Sequence, residues 1–315
     1  MRILQVLDPS HKNWVQGGTF KDLRLNSKIF NENPVYLGAP FRTQQILHWL
    51  RSIQKVFSSK YILFSSITPL ENYYKIARFF PKKRKLAVWF THQEGRFTAL
   101  QLRALNSCKV IFVHSSQEKF NLESMVSSKV EVTLGAIDSS RFSRSPNPGM
   151  CILWIGTPNE RKNPREFLRL ASDNPDLNFR ILGKNWIGTH LGDKITRISN
   201  IEYYEITRPL ESSDLDGCDI YICTSFIEGG PMPLLESIAG NLKVLSRDVG
   251  FVQDVFREFG ISSDFIYSEY EEIVPLINRL RRESRTNYGS RIEIYSFERL
   301  GRLIAENLFS PDAYL

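Results

Sequence analysis

The stretch DIYICTSFIEGGPMPLLE, residues 219–236, places Glu228 and Glu236 around two glycines and two prolines, directly behind an apolar run. Gly229 and Gly230 open backbone conformations closed to other residues and clear side chains from one surface. Pro231 and Pro233 suit the first turn of a helix, where a missing N–H costs little. Glu236 then falls roughly one turn into that helix, and Glu228 stays in the loop before it. A strand, a bare loop and a helix start, with a carboxylate on each side, form a place to hold a phosphate-bearing ligand.

Outward from this stretch, runs rich in β-branched and aromatic residues recur. Before residue 150 they are ILQVL, PVYLG, YILFSS, LAVWFTH, VIFVHS and VEVTLG; after it come CILWIG, NFRILG, IEYYE, DIYICTS, LKVLSR and SDFIY. Most are continuously apolar, as expected of strands covered on both faces. Helix-like segments such as NPREFLRLASD and PLLESIAG lie between them, which implies parallel sheets wrapped by helices. The Ser- and Pro-rich segment DSSRFSRSPNPGM, residues 138–150, reads as the hinge between two α/β domains. We place the first domain at 1–145, the second at 146–295, and a C-terminal helix at 296–315 crossing back toward the first. In open α/β sheets ligands gather at the carboxyl ends of the strands. Two such domains face a cleft, with Glu228 on its wall.

A chain of 315 residues is long enough for about two domains. With 42% hydrophobic and 24% charged residues, its composition is that of an ordinary globular protein. No apolar run approaches the roughly 20 residues that span a bilayer. The start, MRILQVLDPS, has too short an apolar stretch for a signal-peptide core, so the expected location is the cytoplasm. The four cysteines, Cys108, Cys151, Cys218 and Cys223, form neither a C-x-x-C pair nor a disulfide framework. A net charge of +7 favours anionic partners without choosing among head groups, nucleotides and nucleic acid. No strand is followed by G-x-G-x-x-G, which speaks against a nicotinamide oxidoreductase.

Taken together, these motifs resemble the retaining glycosyltransferases of family 4, which have the GT-B fold of two Rossmann-like domains. Glu228 and Glu236 match the two glutamates of that family's E-x7-E motif, and Gly240 and Gly250 match glycines that follow it. ILWIGTPNERKNPREFLRLA looks like the family's strand, glycine turn and lysine, with Gly156 and Lys162 in place. Gly17 and Gly18 after the first strand, and His92 in VWFTHQEG, look like its N-domain glycine pair and cleft histidine. One position departs: the family's arginine after the turn glycine is Thr157 here, and Arg161 beside Lys162 is placed to supply the missing charge. The chain is also short for the family, in the half that usually reads the acceptor.

The resemblance implies hexosyl transfer from a nucleotide-sugar donor to a glycan or lipid-linked acceptor, without a metal or other cofactor. Glu228 and His92 then touch the donor sugar at the reacting face, and Glu236 accepts hydrogen bonds from the nucleotide ribose. Gly229, Gly230, Pro231, Met232, Pro233, Leu234 and Leu235 line the donor site between the two glutamates. Lys162 and Arg161 add positive charge at the diphosphate. Asp-Leu-Asp at 214–216 looks like the D-x-D of metal-dependent enzymes, but it precedes the strand and reads as solvated. Rival readings are a transferase acting on a soluble small molecule or nucleic acid, and a decayed GT-B binding protein. Nucleic acid as a partner has little else in its favour.

Two basic stretches stand apart. FRTQQILHWLRSIQKVF, residues 41–57, is an amphipathic helix carrying Trp49, which either packs on the first sheet or lies on an anionic membrane. Phe79 and Phe80 precede Lys82, Lys83, Arg84 and Lys85, a combination suited to the inner face of a membrane on the acceptor side.

Overall fold

β-Branched and aromatic runs become strands when both faces can be covered, and a sheet so built carries two cores. The computed structural model describes residues 2–8, 15–27, 29–31, 33–37, 46–77, 84–90, 96–142, 146–147 and 149–309, with 15–18, 46–51 and 290 described by backbone alone. Its contacts divide the chain into two units, Met1–Ala136 with Tyr295–Leu315, and Ile137–Ile294. The segment read as a hinge therefore starts inside the second unit: Phe142 is buried and Ser139 bonds Glu293 there.

In the first unit the strands are β1 (Leu4–Leu7), β2 (Val35–Tyr36), β3 (Tyr61–Phe64), β4 (Lys85–Trp89), β5 (Val110–Val113) and β6 (Lys129–Val132). All are parallel, in the order β2-β1-β3-β4-β5-β6. The connecting helices are α1 (Val15–Asn26), α2 (Ile46–Ser58), α3 (Ile67–Ala77), α4 (Ala99–Leu105) and α5 (Ser116–Glu123). Alternate strand residues feed opposite cores, as the two-residue period requires. Leu4, Val6, Ile62, Phe64 and Val88 pack with Val56 of α2, Leu70 of α3 and Leu105 of α4. Leu63, Ala87, Trp89 and Phe112 pack on the other face with Phe20 and Leu23 of α1. The amphipathic basic segment takes the first of its two readings: Val56 is fully buried, and Ile53 and Phe57 pack against the core.

The second unit contains β7 (Cys151–Ile155), α6 (Pro164–Asp173), β8 (Phe179–Gly183), α7 (His190–Ile195), β9 (Ile201–Glu205) and β10 (Cys218–Cys223). It continues with α8 (Met232–Ala239), β11 (Lys243–Arg247), α9 (Val252–Phe259), β12 (Ile266–Tyr267) and α10 (Ile273–Arg282). The sheet is parallel, in the order β12-β11-β10-β7-β8-β9. The four cysteines are free and buried. The last helix, α11 (Phe297–Leu308), belongs to the first unit, where Phe297, Leu300, Ile304 and Leu308 complete the core that contains Trp89. Lys109 Nζ donates to the Leu308 and Phe309 carbonyls at its end, as suits a cation at a helix C-terminus. Among the described residues no helix is long and apolar enough to cross a membrane.

Candidate functional site

In the second sheet the chain runs outward from β7 in one direction, through β8 to β9, and from β10 in the other, through β11 to β12. The loops leaving β7 and β10 therefore diverge, and such a switch point opens a crevice at the carboxyl ends of the strands. Both signature segments emerge there.

The loop after β7 passes Gly156, Thr157 and a 3₁₀ turn over Glu160–Lys162 before entering α6. Asn159 caps the turn by accepting from the Arg161 amide at 2.9 Å. Asn163 closes it in the left-handed conformation (φ 48°) and Pro164 starts the helix. Asparagine tolerates that conformation better than most residues. Gly156 is required by what crosses it: a Cβ there would lie 2.8 Å from Lys162 Cδ and 2.9 Å from the Trp154 ring. Trp186 Nε1 donates to the Gly156 carbonyl at 3.0 Å and fixes the turn. Thr157, at the family's arginine position, is half-buried and its carbonyl accepts from the Asn159 amide at 2.7 Å.

The loop after β10 is stitched to the first. Thr224 Oγ1 accepts from Trp154 Nε1 at 2.9 Å and lies 2.8 Å from the Lys162 carbonyl. The Phe226 amide donates to the Arg161 carbonyl at 2.9 Å, and Arg161 donates back to the Ile227 carbonyl at 3.2 Å. These contacts deliver Glu228, only 5% exposed, to the cations: Lys162 Nζ donates to Oε1 at 2.8 Å and Arg161 to Oε2 at 2.9 Å. Ser225 Oγ also donates to Oε1, at 3.0 Å. Burial pushes the Glu228 carboxyl up, but Lys162, then Arg161 and Ser225, outweigh it and hold the group below its usual range.

Beyond Glu228 the chain enters α8 as expected, with Pro231 at the N-cap and proline again within the first turn. The two prolines remove two amides from that helix start, which leaves the Met232 amide there and those of Gly229 and Gly230 in the loop before it. Leu234 and Leu235 face the core, both fully buried. A Cβ on Gly250, whose φ is +54°, would lie 2.4 Å from the Gly229 carbonyl, so a bare backbone supports the loop from behind. Gly240 ends α8, its amide donating to the Glu236 carbonyl.

Glu236 sits in a different environment. Burial pushes its carboxyl up to about 7, against the pull of Arg141 and with Asp214 adding to the push. Arg141 Nη1 is 3.6 Å from Oε1. Asp214, read from sequence as solvated, is instead enclosed: Arg208 grips it at 2.7 and 2.8 Å and the Glu211 amide donates to it at 2.9 Å.

Sequence reasoning missed Arg141, Ser225 and Arg247. Arg247 pairs with Glu166 of α6 and lies over the exposed Phe226 ring, bracing the loop next to Glu228. Arg141 lies in the segment DSSRF, and nothing local in that segment points to a partner on α8.

Among the first-unit residues, Gly17 and Gly18 lie within α1, in the stretch described by backbone alone. His92, Phe79, Phe80, Lys82 and Lys83 lie outside the described residues, and of Trp49 only the backbone is described. Arg84 turns inward, donating to the Phe57 carbonyl at 2.8 Å with its guanidinium over the Phe57 ring. Lys85 opens β4, with its ammonium 5.9 Å from the Tyr61 ring centre.

Residues 138–292 match the family model described as glycosyl transferases group 1. HepE of Anabaena in complex with UDP is similar in structure, with TM-score 0.70 and 12% identity over 98% of this chain and 96% of that one. The lipopolysaccharide outer core galactosyltransferase WaaB, in its apo form, gives TM-score 0.68 and 13% identity over 98% and 99%. Sucrose-phosphate synthase of Thermosynechococcus elongatus gives 0.63 and 11% over 99% and 96%. At such identities the likeness is one of fold, the GT-B architecture. Among curated proteins no sequence matches.

Proposed function

We propose, from the match of residues 138–292 to the glycosyl transferases group 1 model, that this chain is a glycosyltransferase of that group that uses a nucleotide-sugar donor and is metal-independent and retaining. In this reading it moves a sugar to a glycan or lipid-linked acceptor in cell-surface polysaccharide synthesis. The observation that carries the reading is the Glu228 carboxylate held between Lys162 and Arg161 where β7 and β10 diverge.

As the donor breaks, negative charge accumulates on the departing diphosphate and the anomeric carbon becomes oxocarbenium-like. Lys162 and Arg161 bond Glu228, which directly precedes Gly229 and Gly230, so in this reading positive charge and the loop's amides meet that oxygen cluster. Glu228 neutralises both cations. An arriving diphosphate takes over part of that role and frees a Glu228 oxygen for a sugar hydroxyl. Glu236 takes the ribose, and by resemblance His92 contacts the donor sugar.

The surface of the first unit supports an anionic membrane as the place of work. Lys60, Lys85, Lys109 and Lys129 stand at the amino ends of four neighbouring strands, β3 to β6. The Lys109 ammonium is lowered by burial and by the charges of Lys85 and Lys129. Lys129 also pairs with Glu131, and the positive surplus that remains favours a negatively charged surface.

Melting the protein with UDP-, GDP- and ADP-sugars tests the donor, since a ligand bound only by the folded form raises the melting temperature. One class should stabilise it and be slowly hydrolysed without acceptor, chelator making no difference. Stabilisation without hydrolysis would favour a binding protein. Activity lost to chelator and restored by magnesium or manganese would refute metal independence.

A further inference from the structure

We infer that Arg141 is a positioning residue that draws Glu236 toward its charged form for the nucleotide ribose while leaving its oxygens open, an inference that rests on the donor-site reading above. Glu228 in the loop is buried and Glu236 on the helix is half-buried, and their surroundings differ in kind. The Glu228 oxygens are taken up by Lys162, Arg161 and Ser225. At Glu236 the paired cation among the described residues is Arg141, and its Nη1 stops 3.6 Å from Oε1. That gap is beyond an ordinary hydrogen bond, yet short enough for strong attraction in a half-dry site.

Arg141 cannot close it freely. The same Nη1 donates to the Leu210 carbonyl at 3.1 Å, and Nε lies 3.7 Å from an Asp138 oxygen. Its guanidinium lies 5.8 Å from the Phe142 ring centre, and its own carbonyl accepts from Ser212 Oγ at 3.1 Å. A cation clamped just out of bonding range biases the carboxyl toward its charged form without occupying its lone pairs. A ribose offers two vicinal hydroxyls, the donors such a carboxylate lacks.

Among the described residues Asp214, from the turn Ser212–Leu215, and Tyr221 of β10 also interact electrostatically with Glu236. Asp214 is largely neutralised by Arg208. On β11 the cations are engaged elsewhere, Lys243 with Asp219 and Arg247 with Glu166. Arg141 is therefore the cation set against the burial of Glu236, which pushes the carboxyl up to about 7, and the balance between them falls in the neutral range.

The test is calorimetric titration of the full chain between pH 6 and 9 with whichever of UDP, GDP or ADP raises its melting temperature most. Native affinity should rise roughly tenfold from pH 6 to 8, as a carboxyl with its midpoint near 7 ionises. Glu236→Gln should remove that component of the rise and supplies the baseline for the nucleotide's own phosphate titration. Arg141→Gln should move the midpoint upward by about one pH unit, and Arg141→Lys by less, because an ammonium bonded to Leu210 faces Glu236 less fully. If the glutamine variant does not fold, the lysine variant alone decides. Melting temperatures across the same pH range, without nucleotide, follow the Glu236 proton independently. An unmoved midpoint with normal nucleotide binding overturns the role of Arg141 alone. A midpoint that moves in the melts, while nucleotide affinity ignores Glu236→Gln, overturns the donor-site reading and the ribose role with it.

Discussion

Lys162 Nζ lies 2.8 Å from Glu228 Oε1, although the two residues are 66 positions apart and leave different strands. The cation that would hold a donor diphosphate and the carboxylate that would touch the donor sugar are thus already paired. Donor binding becomes an exchange of partners at Lys162, with Arg161 on the other carboxylate oxygen.

Lys162→Ala should weaken nucleoside diphosphate binding by about 1.5–3 kcal/mol, the range for a charged hydrogen bond. Arg161→Ala should cost a similar amount if Arg161 stands in for the arginine that Thr157 replaces. Calorimetry on both variants decides, and an Arg161 variant that binds normally would leave Thr157 without compensation.

Glu228→Gln keeps the shape and the Ser225 contact but leaves two cations facing a neutral amide. Breaking a fully buried pair costs roughly 3–5 kcal/mol. Arg161 is 36% exposed, so solvent screening brings the expected loss to about 1–3 kcal/mol. Turnover should fall at least about a hundredfold, with donor affinity much less affected. Urea unfolding and donor-consumption assays measure the two effects. Affinity falling as much as turnover would remove Glu228 from the reacting face.

Gly156→Ala should act through Lys162. The new methyl would meet Lys162 Cδ at 2.8 Å and the Trp154 ring at 2.9 Å. The flexible lysine is the easier to displace, so nucleotide affinity should fall roughly tenfold while stability drops by about 1–2 kcal/mol. Native affinity in this variant would show that Lys162 does not need its present path.

Glu236 should make stability depend on pH in the direction opposite to a paired carboxylate. Its folded value, about 7, lies above the reference value of 4.5, so the folded state holds the proton more tightly. The contribution is fully present below 4.5 and is lost as pH rises through about 7. Glu236→Gln removes this loss. Relative to the native chain it should gain about 2 kcal/mol between pH 5.5 and 8.5, read by urea unfolding at both values. An equal effect at the two pH values would mean that Glu236 titrates normally.

Co-sedimentation should occur with anionic vesicles, weaken with neutral ones and fade as salt rises. Each lysine near the surface contributes about 1 kcal/mol. Replacing Lys60, Lys82, Lys83 and Lys129 together by Gln should release most of the protein without altering nucleotide affinity. Arg84→Gln should chiefly lower stability, since its guanidinium is spent on Phe57 and Tyr73. Failure of the native chain to bind anionic vesicles would point to a soluble acceptor.

The residue pattern by itself determined the strands, their parallel arrangement and the positions of Glu228, Glu236, Gly156 and Lys162. Strand runs, glycine turns and proline-led helix starts are written locally, because they follow from backbone sterics and from periods of two or 3.6 residues. What the charges do was decided by tertiary structure. Placing β7 beside β10 brings Lys162 and Arg161 onto Glu228, and the second unit folds Arg141 against α8 to face Glu236. It also turned Arg84 into the first unit, where a run of basic residues alone had suggested a surface. Electrostatic partnership depends on distance and burial, and both arise from strand order rather than from separation along the chain.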